Sequence, residues 1–279
     1  MRLFILDMMN LAHKCYWVHK QLANSQGLHT GVMYGARNFM NEVFDNMEPT
    51  HFLAITDAEG PTFRHEMYDG YKANRTAKDY EFTMQIPYYY DMFNRMGIKT
   101  IALAGFEADD LIGSAVDFYK DQIDTFILSG DKDMNQLLGH ERVKQCWTDV
   151  NPYGVPEVII KLGIHPNQMV DYLALTGDSA DNVPGVKGVG PKGAAKLLQE
   201  YKTLDGIYAN IENIKAKALK KNLQENKENA ILSKKLVAIR RDIGMPYTLD
   251  DLKVDRSCLS TPAVIELYKK LEFRTGIGI

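Results

Sequence analysis

The feature that most constrains this chain is the alternation of short β-rich runs with stretches long enough for helices. The runs LFIL (3–6), HFLAIT (51–56), KTIALA (99–104) and TFILS (125–129) have this character. A fifth candidate, VKQCW (143–147), precedes an Asn-Pro-Tyr-Gly turn. Such alternation is typical of a parallel α/β sheet. We therefore predict that the first half of the chain is a parallel sheet covered by helices.

Acidic residues follow four of these runs. The carboxyl ends of parallel strands form one edge of a sheet, so acids distant in sequence are expected to converge there. Two more acids lie in TGDSADNVPG, a turn after a predicted helix that ends near Thr176. The nine candidates are Asp7, Asp57, Glu107, Asp109, Asp110, Asp131, Asp133, Asp178 and Asp181.

Nine carboxylates gathered in one place repel one another, which raises some pKa values and favours bound cations. Oxygen ligands without His or Cys are those preferred by Mg²⁺ or Mn²⁺. Two such ions about 4 Å apart promote phosphodiester hydrolysis. Each acid also has a simpler interpretation, as a residue of a first helical turn or of a loop. Their position after four successive strands favours the metal site.

The segment 63–93, between the second and third runs, exceeds ordinary loop length. It carries Arg64, Lys72, Arg75 and Lys78, which are candidates for contacts with phosphate over the metals. Tyr71 is a candidate for stacking on an unpaired base. The alternative is a surface helix with ordinary cations and a buried tyrosine.

Helical patterning dominates after residue 154, including PNQMVDYLALTG from 166 and KGAAKLLQEY from 192. Between these two stretches, Gly185, Gly188 and Gly190 mark a tight turn that resembles a helix-hairpin-helix. Backbone N–H groups at such a turn bind phosphate without reading bases. The candidate contacts in this hairpin are Lys187, Gly188, Gly190, Lys192 and Lys196.

The net charge of −3 conceals an asymmetry along the chain. Residues 186–241 contain thirteen Lys/Arg against five Asp/Glu, a balance of +8, which leaves −11 on the remainder. One part is thus suited to phosphate and the other to cations, although Lys-rich helices are also ordinary solvated surfaces.

Cysteine and N-terminal patterns exclude several classes of protein. Cys15, Cys146 and Cys258 are odd in number and widely spaced, so neither a disulfide framework nor a Cys-based zinc site is expected. The first apolar stretch is interrupted by Asp7, too early for a signal sequence or membrane span. We expect a soluble, cytoplasmic protein without a membrane partner.

In combination and order, six motifs resemble the 5′-nuclease family, which includes the 5′-nuclease domain of bacterial DNA polymerase I and stand-alone bacteriophage and bacterial flap endonucleases. The resemblance covers nearly the whole chain. The motifs are LDMMNL (6–11), FRHEMYDGYKANR (63–75), GFEADDLIG (105–113), SGDKDMNQLL (129–138), LALTGDSADNVPGVKGVGPKGAAKLL (173–198) and LYKKLEF (267–273).

The resemblance implies a PIN-like α/β fold with a helical arch over the site and a C-terminal helix-three-turn-helix region. By motif, all nine acids match the family's metal-binding acids, and Asp131 and Asp133 are also taken as catalytic. Lys72 and Arg75 match catalytic arch cations, and Tyr71 the neighbouring stacking tyrosine. We place the catalytic domain at 1–164, with the arch at about 65–96, and the helical region at 165–279, with the hairpin at about 173–210.

The implied activity is metal-dependent hydrolysis at 5′ ends, nicks and 5′-flap junctions of DNA, in replication or repair, by a monomer. The implied cofactors are two Mg²⁺ or Mn²⁺, with K⁺ at the hairpin, and RNA primers are further candidate substrates. The first two acidic motifs depart from the family's usual residues around Asp7 and Asp57. A non-catalytic DNA-binding module and a phosphatase with an aspartyl nucleophile at Asp131 are the alternatives.

Overall fold

The computed structural model describes residues 1–147 and 151–273, and its centre is a five-stranded sheet. The strand order is β3-β2-β1-β4-β5, and all four pairings are parallel. The predicted parallel sheet is confirmed, although the third strand is shorter than its apolar run. The strands are β1 (Arg2–Asp7), β2 (His51–Ile55), β3 (Lys99–Ile101), β4 (Asp124–Leu128) and β5 (Val143–Cys146).

Helices cover the sheet and build the second half of the molecule. Those that precede β5 are α1 (Met8–Val18), α2 (Gly31–Met47), α3 (Phe63–Met67), α4 (Tyr80–Thr83), α5 (Ile86–Arg95) and α6 (Ala108–Tyr119). Those that follow it are α7 (Val155–Leu162), α8 (Met169–Thr176), α9 (Pro191–Tyr201), α10 (Leu204–Ala209), α11 (Lys217–Glu225), α12 (Lys227–Val237) and α13 (Pro262–Lys270).

The central strands β1 and β2 are buried on both faces, as expected for parallel strands with apolar residues at consecutive positions. In β1, Phe4 and Leu6 belong to a core shared with α1, α2, α5 and α13. Leu3 and Ile5 belong to a second core on the opposite face, shared with α6. Alternation of side chains along a strand thus builds a helix–sheet–helix sandwich.

A third core lies within the helical half, where α8, α9, α10 and α12 pack together. After this helical core, residues 239–252 return to the face of the sheet that α6 covers. Residues 258–273 then join the core on the other face, beside α2 and α5. The sequence did not predict this return, because apolar residues on short helices do not indicate which core they join.

The predicted helical arch at about 65–96 is only partly helical. Helix α5 belongs to the core, with Tyr89, Met92 and Phe93 fully buried. Between α3 and α4, residues 68–79 form turns and extended chain. Residues 68–79 are thus not helical in this structure, and basic residues among them contact acids, as described below.

None of the helices in residues 1–147 and 151–273 is both long and apolar enough to cross a lipid bilayer.

A buried ion pair joins the two halves. The guanidinium of Arg64, on α3, donates two hydrogen bonds to Asp110, on α6, at 2.7 and 2.8 Å. It also donates to the carbonyls of Leu236 and Ala238, at and just after the end of α12. Both charged side chains are almost inaccessible to solvent. Removal of one would leave the other as an unpaired charge in the protein interior, which solvates charge poorly.

We expect Arg64→Met to lower the free energy of unfolding by on the order of 3–5 kcal/mol, because Asp110 is left as an uncompensated buried charge. The double variant Arg64→Met/Asp110→Asn removes that charge and should recover part of the loss. Urea unfolding measures both. Equal losses in the two proteins would contradict the role of the charge.

Candidate functional site

The carboxyl edge of the sheet begins with Asp7, the last residue of β1. Its carboxylate accepts hydrogen bonds from the N–H of Asn10 at 3.0 Å, which caps α1, and from the hydroxyl of Ser129 at 2.9 Å. Burial raises the pKa of Asp7 to about 7, and the charges of Asp57 and Asp131 contribute. Asp7 is thus held rigidly among other acids.

Asp131 and Asp133 follow β4, the neighbour of β1. Asp131 caps a short 3₁₀ helix by accepting from the N–H of Asp133 at 2.8 Å. Burial raises the pKa of Asp131 and brings that of Asp133 to about 7, with repulsion from Asp178 and Asp181 adding to both. The Oδ1 atom of Asp133 is buried with no hydrogen-bond partner among the described residues.

On the other side of β1, Asp57 follows β2 and accepts from the N–H of Ala108 at 2.9 Å, at the start of α6. Glu107 caps the same helix and is almost completely buried. Asp109, in its first turn, has a pKa far above the ordinary value because of burial, then the charges of Asp131 and Asp7. Acids after β1, β2 and β4 and at the start of α6 therefore meet at one edge.

Two residues predicted to contact metal or DNA, Asp110 and Arg64, pair with each other in this conformation. Asp110 is completely buried and accepts two hydrogen bonds from Arg64, so it does not face the other acids as a metal ligand. It also accepts from the N–H groups of Glu107 and Arg240. Arg64, predicted to contact DNA, is 2% exposed. The first helical turn directs Asp109 and Asp110 to different sides, which sequence proximity does not reveal.

The helical half contributes Asp178 and Asp181 on the acidic turn, which we define as residues 177–185. Gly177 and Gly185 have positive φ and approach so closely that a Cβ on Gly185 would lie 2.4 Å from the nitrogen of Gly177. Burial raises the pKa of Asp178, but Lys132 at 2.8 Å and the N–H of Ala180 outweigh it, so the pKa lies below its ordinary value.

Basic side chains from the 63–93 segment enter this site. The ammonium of Lys72 lies 2.5 Å from Glu107 and 3.7 Å from Asp181, and Arg75 pairs with Asp181. The hydroxyl of Tyr71 donates to Glu107 at 2.9 Å. Tyr71 is 4% exposed and packs in the helical core, so its ring is not available for stacking on a base in this conformation.

A small cavity of about 20 Å³ lies between the two halves. Such a volume accommodates about one water-sized sphere. Its charged and phenolic lining consists of Arg64, Tyr71, Glu107, Asp109, Asp133, Asp178 and Asp181.

The donor set fits a hard divalent cation. The acids are oxygen ligands, several have raised pKa values that a nearby cation would lower, and the Oδ1 of Asp133 has no partner. In residues 1–147 and 151–273, no three acidic, His or Cys side chains are already arranged around a common ion position. Lys72 and Arg75 bind two of the acids instead, and Lys132 binds a third.

The predicted hairpin lies between α8 and α9, and its candidate residues are exposed. Helix α9 begins at Pro191, one residue before the predicted start near Lys192, with Gly190 as its N-cap and without a capping side chain. The N–H groups of its first turn therefore remain available to a ligand. The exposed candidates are Lys187, Gly188, Gly190, Lys192 and Lys196.

Sequence reasoning missed several residues that support the acids. Ser129 bridges two strands by donating to Asp7 and accepting from the N–H of Asp131 at 3.2 Å. Asn10 accepts from the N–H of Gly130, and Gln145 donates to the carbonyl of Asp131. Lys132 could have been found from the sequence because it lies between two candidate acids. Ser129, Asn10 and Gln145 could not, because only their position near the motifs distinguishes them.

The raised pKa of Asp133 has a stability consequence. An acid whose pKa rises on folding to about 7 stabilises the fold below its unfolded pKa, and this contribution is lost as pH rises from about 4 to about 7. Asp133→Asn should therefore raise the melting temperature of EDTA-treated protein at pH 8 by at least about 2 °C, and by less at pH 5. The exposed Glu141→Gln is the control. An equal shift at both pH values would contradict the assignment.

Comparison with known proteins agrees with this architecture. Residues 2–163 match the model of the 5′-3′ exonuclease N-terminal resolvase-like domain, and residues 164–258 match that of the 5′-3′ exonuclease C-terminal SAM fold. DNA polymerase I of Bacillus caldotenax is 36% identical over 98% of this chain, and that of Streptococcus pneumoniae strain R6 is 37% identical over 90%. The aligned region spans about a third of those polymerases, 32% and 30% of their lengths.

Solved structures share the fold at low sequence identity. The zinc-bound 5′-exonuclease of T5 is similar with a TM-score of 0.73 and 19% identity, covering 98% of both chains. The catalytic core of Rad2 in complex with DNA has a TM-score of 0.61 and 15% identity, covering 96% of this chain and 87% of that one. With both halves matched by its family models, this chain belongs to the 5′-3′ exonuclease family.

Proposed function

We propose that this chain is a divalent-metal-dependent nuclease that hydrolyses phosphodiester bonds at 5′ ends and 5′-flap junctions of DNA. One observation carries the proposal: acids from separate strands and from the helical half meet beside two basic side chains, Lys72 and Arg75. Family membership supports this reaction class. So does the similarity in fold to the zinc-bound T5 exonuclease and the DNA-bound Rad2 core.

Two Mg²⁺ or Mn²⁺ ions are the proposed cofactors. Bound divalent cations would lower the pKa of water and neutralise charge on the phosphate that is cleaved. Asp110 is omitted from the ligands because it pairs with Arg64. The residues proposed to hold the ions are Asp7, Asp57, Glu107, Asp109, Asp131, Asp133, Asp178 and Asp181.

Residues of this chain hold the acids in position and supply positive charge for the phosphate of the substrate. Lys72 is 18% and Arg75 56% exposed at the side chain, so Arg75 meets a phosphate at the rim and Lys72 one that enters deeper. Both would stabilise negative charge that develops on the phosphate. Ser129 and Asn10 hold the strand ends, which keeps Asp7 and Asp131 in fixed positions.

The exposed hairpin is proposed to bind the sugar-phosphate chain. Its lysines and the N–H groups at the start of α9 contact phosphate without selecting a sequence. In this proposal residues 1–164 form the catalytic part and residues 165–279 the DNA-binding part, although residues 239–273 pack on the sheet. The protein acts as a monomer inside the cell, with K⁺ at the hairpin and RNA 5′ ends as further substrates.

The proposed chemistry predicts a specific pattern of loss. Asp131→Asn and Lys72→Ala should each lower turnover on a labelled 5′-flap duplex with Mg²⁺ by on the order of 10²-fold or more, with DNA affinity nearly unchanged. Lys161→Ala, at an exposed position on α7, is the control. Cutting that is insensitive to EDTA would exclude the metal mechanism, and a phosphoenzyme trapped at Asp131 would favour the phosphatase alternative.

The hairpin role predicts a change in salt dependence. Lys187→Ala and Lys192→Ala should each weaken binding to any DNA sequence and reduce the slope of log affinity against log salt by about 1. Fluorescence anisotropy across a salt series with Ca²⁺ measures this, and Lys269→Ala on α13 is the control. A slope unchanged in both hairpin variants would remove the hairpin from the interface.

A further inference from the structure

We propose that residues 70–75 form a latch, closed in this structure, that divalent-cation binding opens. When closed, Lys72 and Arg75 bind carboxylates that are proposed to hold metal. When open, the same two side chains are released to the phosphate of the substrate. This inference rests on the proposed function because it assigns a second state to the site's own basic residues.

The side-chain contacts of the latch fall on candidate metal ligands. Glu107 receives the ammonium of Lys72 at 2.5 Å and the hydroxyl of Tyr71 at 2.9 Å. Asp181 pairs with Arg75 and lies 3.7 Å from Lys72. A divalent cation on these carboxylates would compete with Lys72 and Arg75 for the same oxygens and repel both positive charges.

Backbone and amide hydrogen bonds also hold the latch on the acidic turn, in addition to the ion pairs of Lys72 and Arg75. The N–H of Lys72 donates to the carbonyl of Asp181 at 3.0 Å. Asn74 donates to the carbonyl of Ser179, and Asn182 donates to the carbonyl of Gly70, both at 2.7 Å. The two turns therefore interlock across the site, and each contributes one amide side chain to the other.

The closed latch also stores backbone strain. Lys72 and Asn182 both adopt left-handed backbone conformation, with φ of 56°. This conformation costs a non-glycine residue, and lysine has no side-chain acceptor to offset it locally. The strained residues lie on opposite turns and hold them together, so loss of the ion pairs would favour a rearranged turn.

By contrast, the distal end of the same segment is anchored away from the acids of the site. Asp79 accepts from the hydroxyl of Tyr16 at 2.8 Å and from Lys20 at 3.0 Å. Phe82, on α4, is buried against His13 and Tyr16. Cation binding at the site should therefore free residues 70–75 and leave α4 in place.

Hydrogen exchange measured by mass spectrometry, without DNA, tests the latch directly. We expect saturating Mg²⁺ to accelerate exchange in a peptide covering residues 68–76 by on the order of tenfold relative to EDTA, at constant ionic strength. A peptide covering α4 is the internal control and should not change. Unchanged or slower exchange at 68–76 would overturn the proposal.

Linkage supplies a second test that needs no catalytic residue. If cation binding opens the latch, variants that weaken the closed state must bind the cation more tightly. Asn74→Ala removes one amide contact, and Asn182→Gly removes the other while accepting the left-handed conformation. We expect each to tighten Mg²⁺ binding severalfold in calorimetry, whereas Asn94→Ala on α5 leaves it unchanged.

The outcomes separate the latch from the proposed function. The protein could bind Mg²⁺ and cut flap DNA while the latch peptide and the Asn variants respond as their controls do. That result would support the proposed function and overturn the latch. A protein that binds no divalent cation loses both. Either Asn variant suffices if the other fails to fold, as judged by its melting transition.

Discussion

Electrostatic repulsion among carboxylates at one edge of the sheet is the constraint on which the rest of this structure depends. Parallel strands end on the same side, so Asp7, Asp57 and Asp131 meet there regardless of their distance in sequence. Burial makes the repulsion stronger and raises the pKa values of Asp7 and Asp133 to about 7. A fold with this edge requires positive charge, from its own side chains or from bound cations.

The fold meets this requirement by joining its two halves with ion pairs. Arg64 neutralises Asp110 and binds carbonyls at the end of α12, while Lys132, beside β4, neutralises Asp178 on the acidic turn. Lys72 and Arg75 pair with Glu107 and Asp181, two of the acids that line the cavity. Arg64 is buried and committed to structure. Lys72 and Arg75 face the site and are the ones a divalent cation would replace, which links the charge balance of folding to the proposed chemistry.

Several features were predictable because they depend on local pattern. The β-rich runs specified the strands, and the acids after them specified which edge carries chemistry. The Gly-rich turn predicted a helix start near Lys192, and α9 begins at Pro191. Motif and sequence proximity placed Arg64, Tyr71 and Asp110 at the DNA or at the metals, whereas the structure buries all three side chains. Their roles depend on which direction a side chain takes from a helical turn and on contacts with residues more than a hundred positions away, such as Arg64 with Leu236.

The sequence by itself determined the parallel sheet, its acidic edge, the basic hairpin and the family, because short runs of consecutive apolar residues and the spacing within motifs act over short distances. Only the tertiary structure decided which acids face the cavity, which cations are buried and where residues 239–273 pack. It also decided that residues 70–75 lie on the acidic turn rather than forming a helix over it. These outcomes depend on desolvation and on pairing between distant charges, and neither is encoded in the local pattern of a single segment.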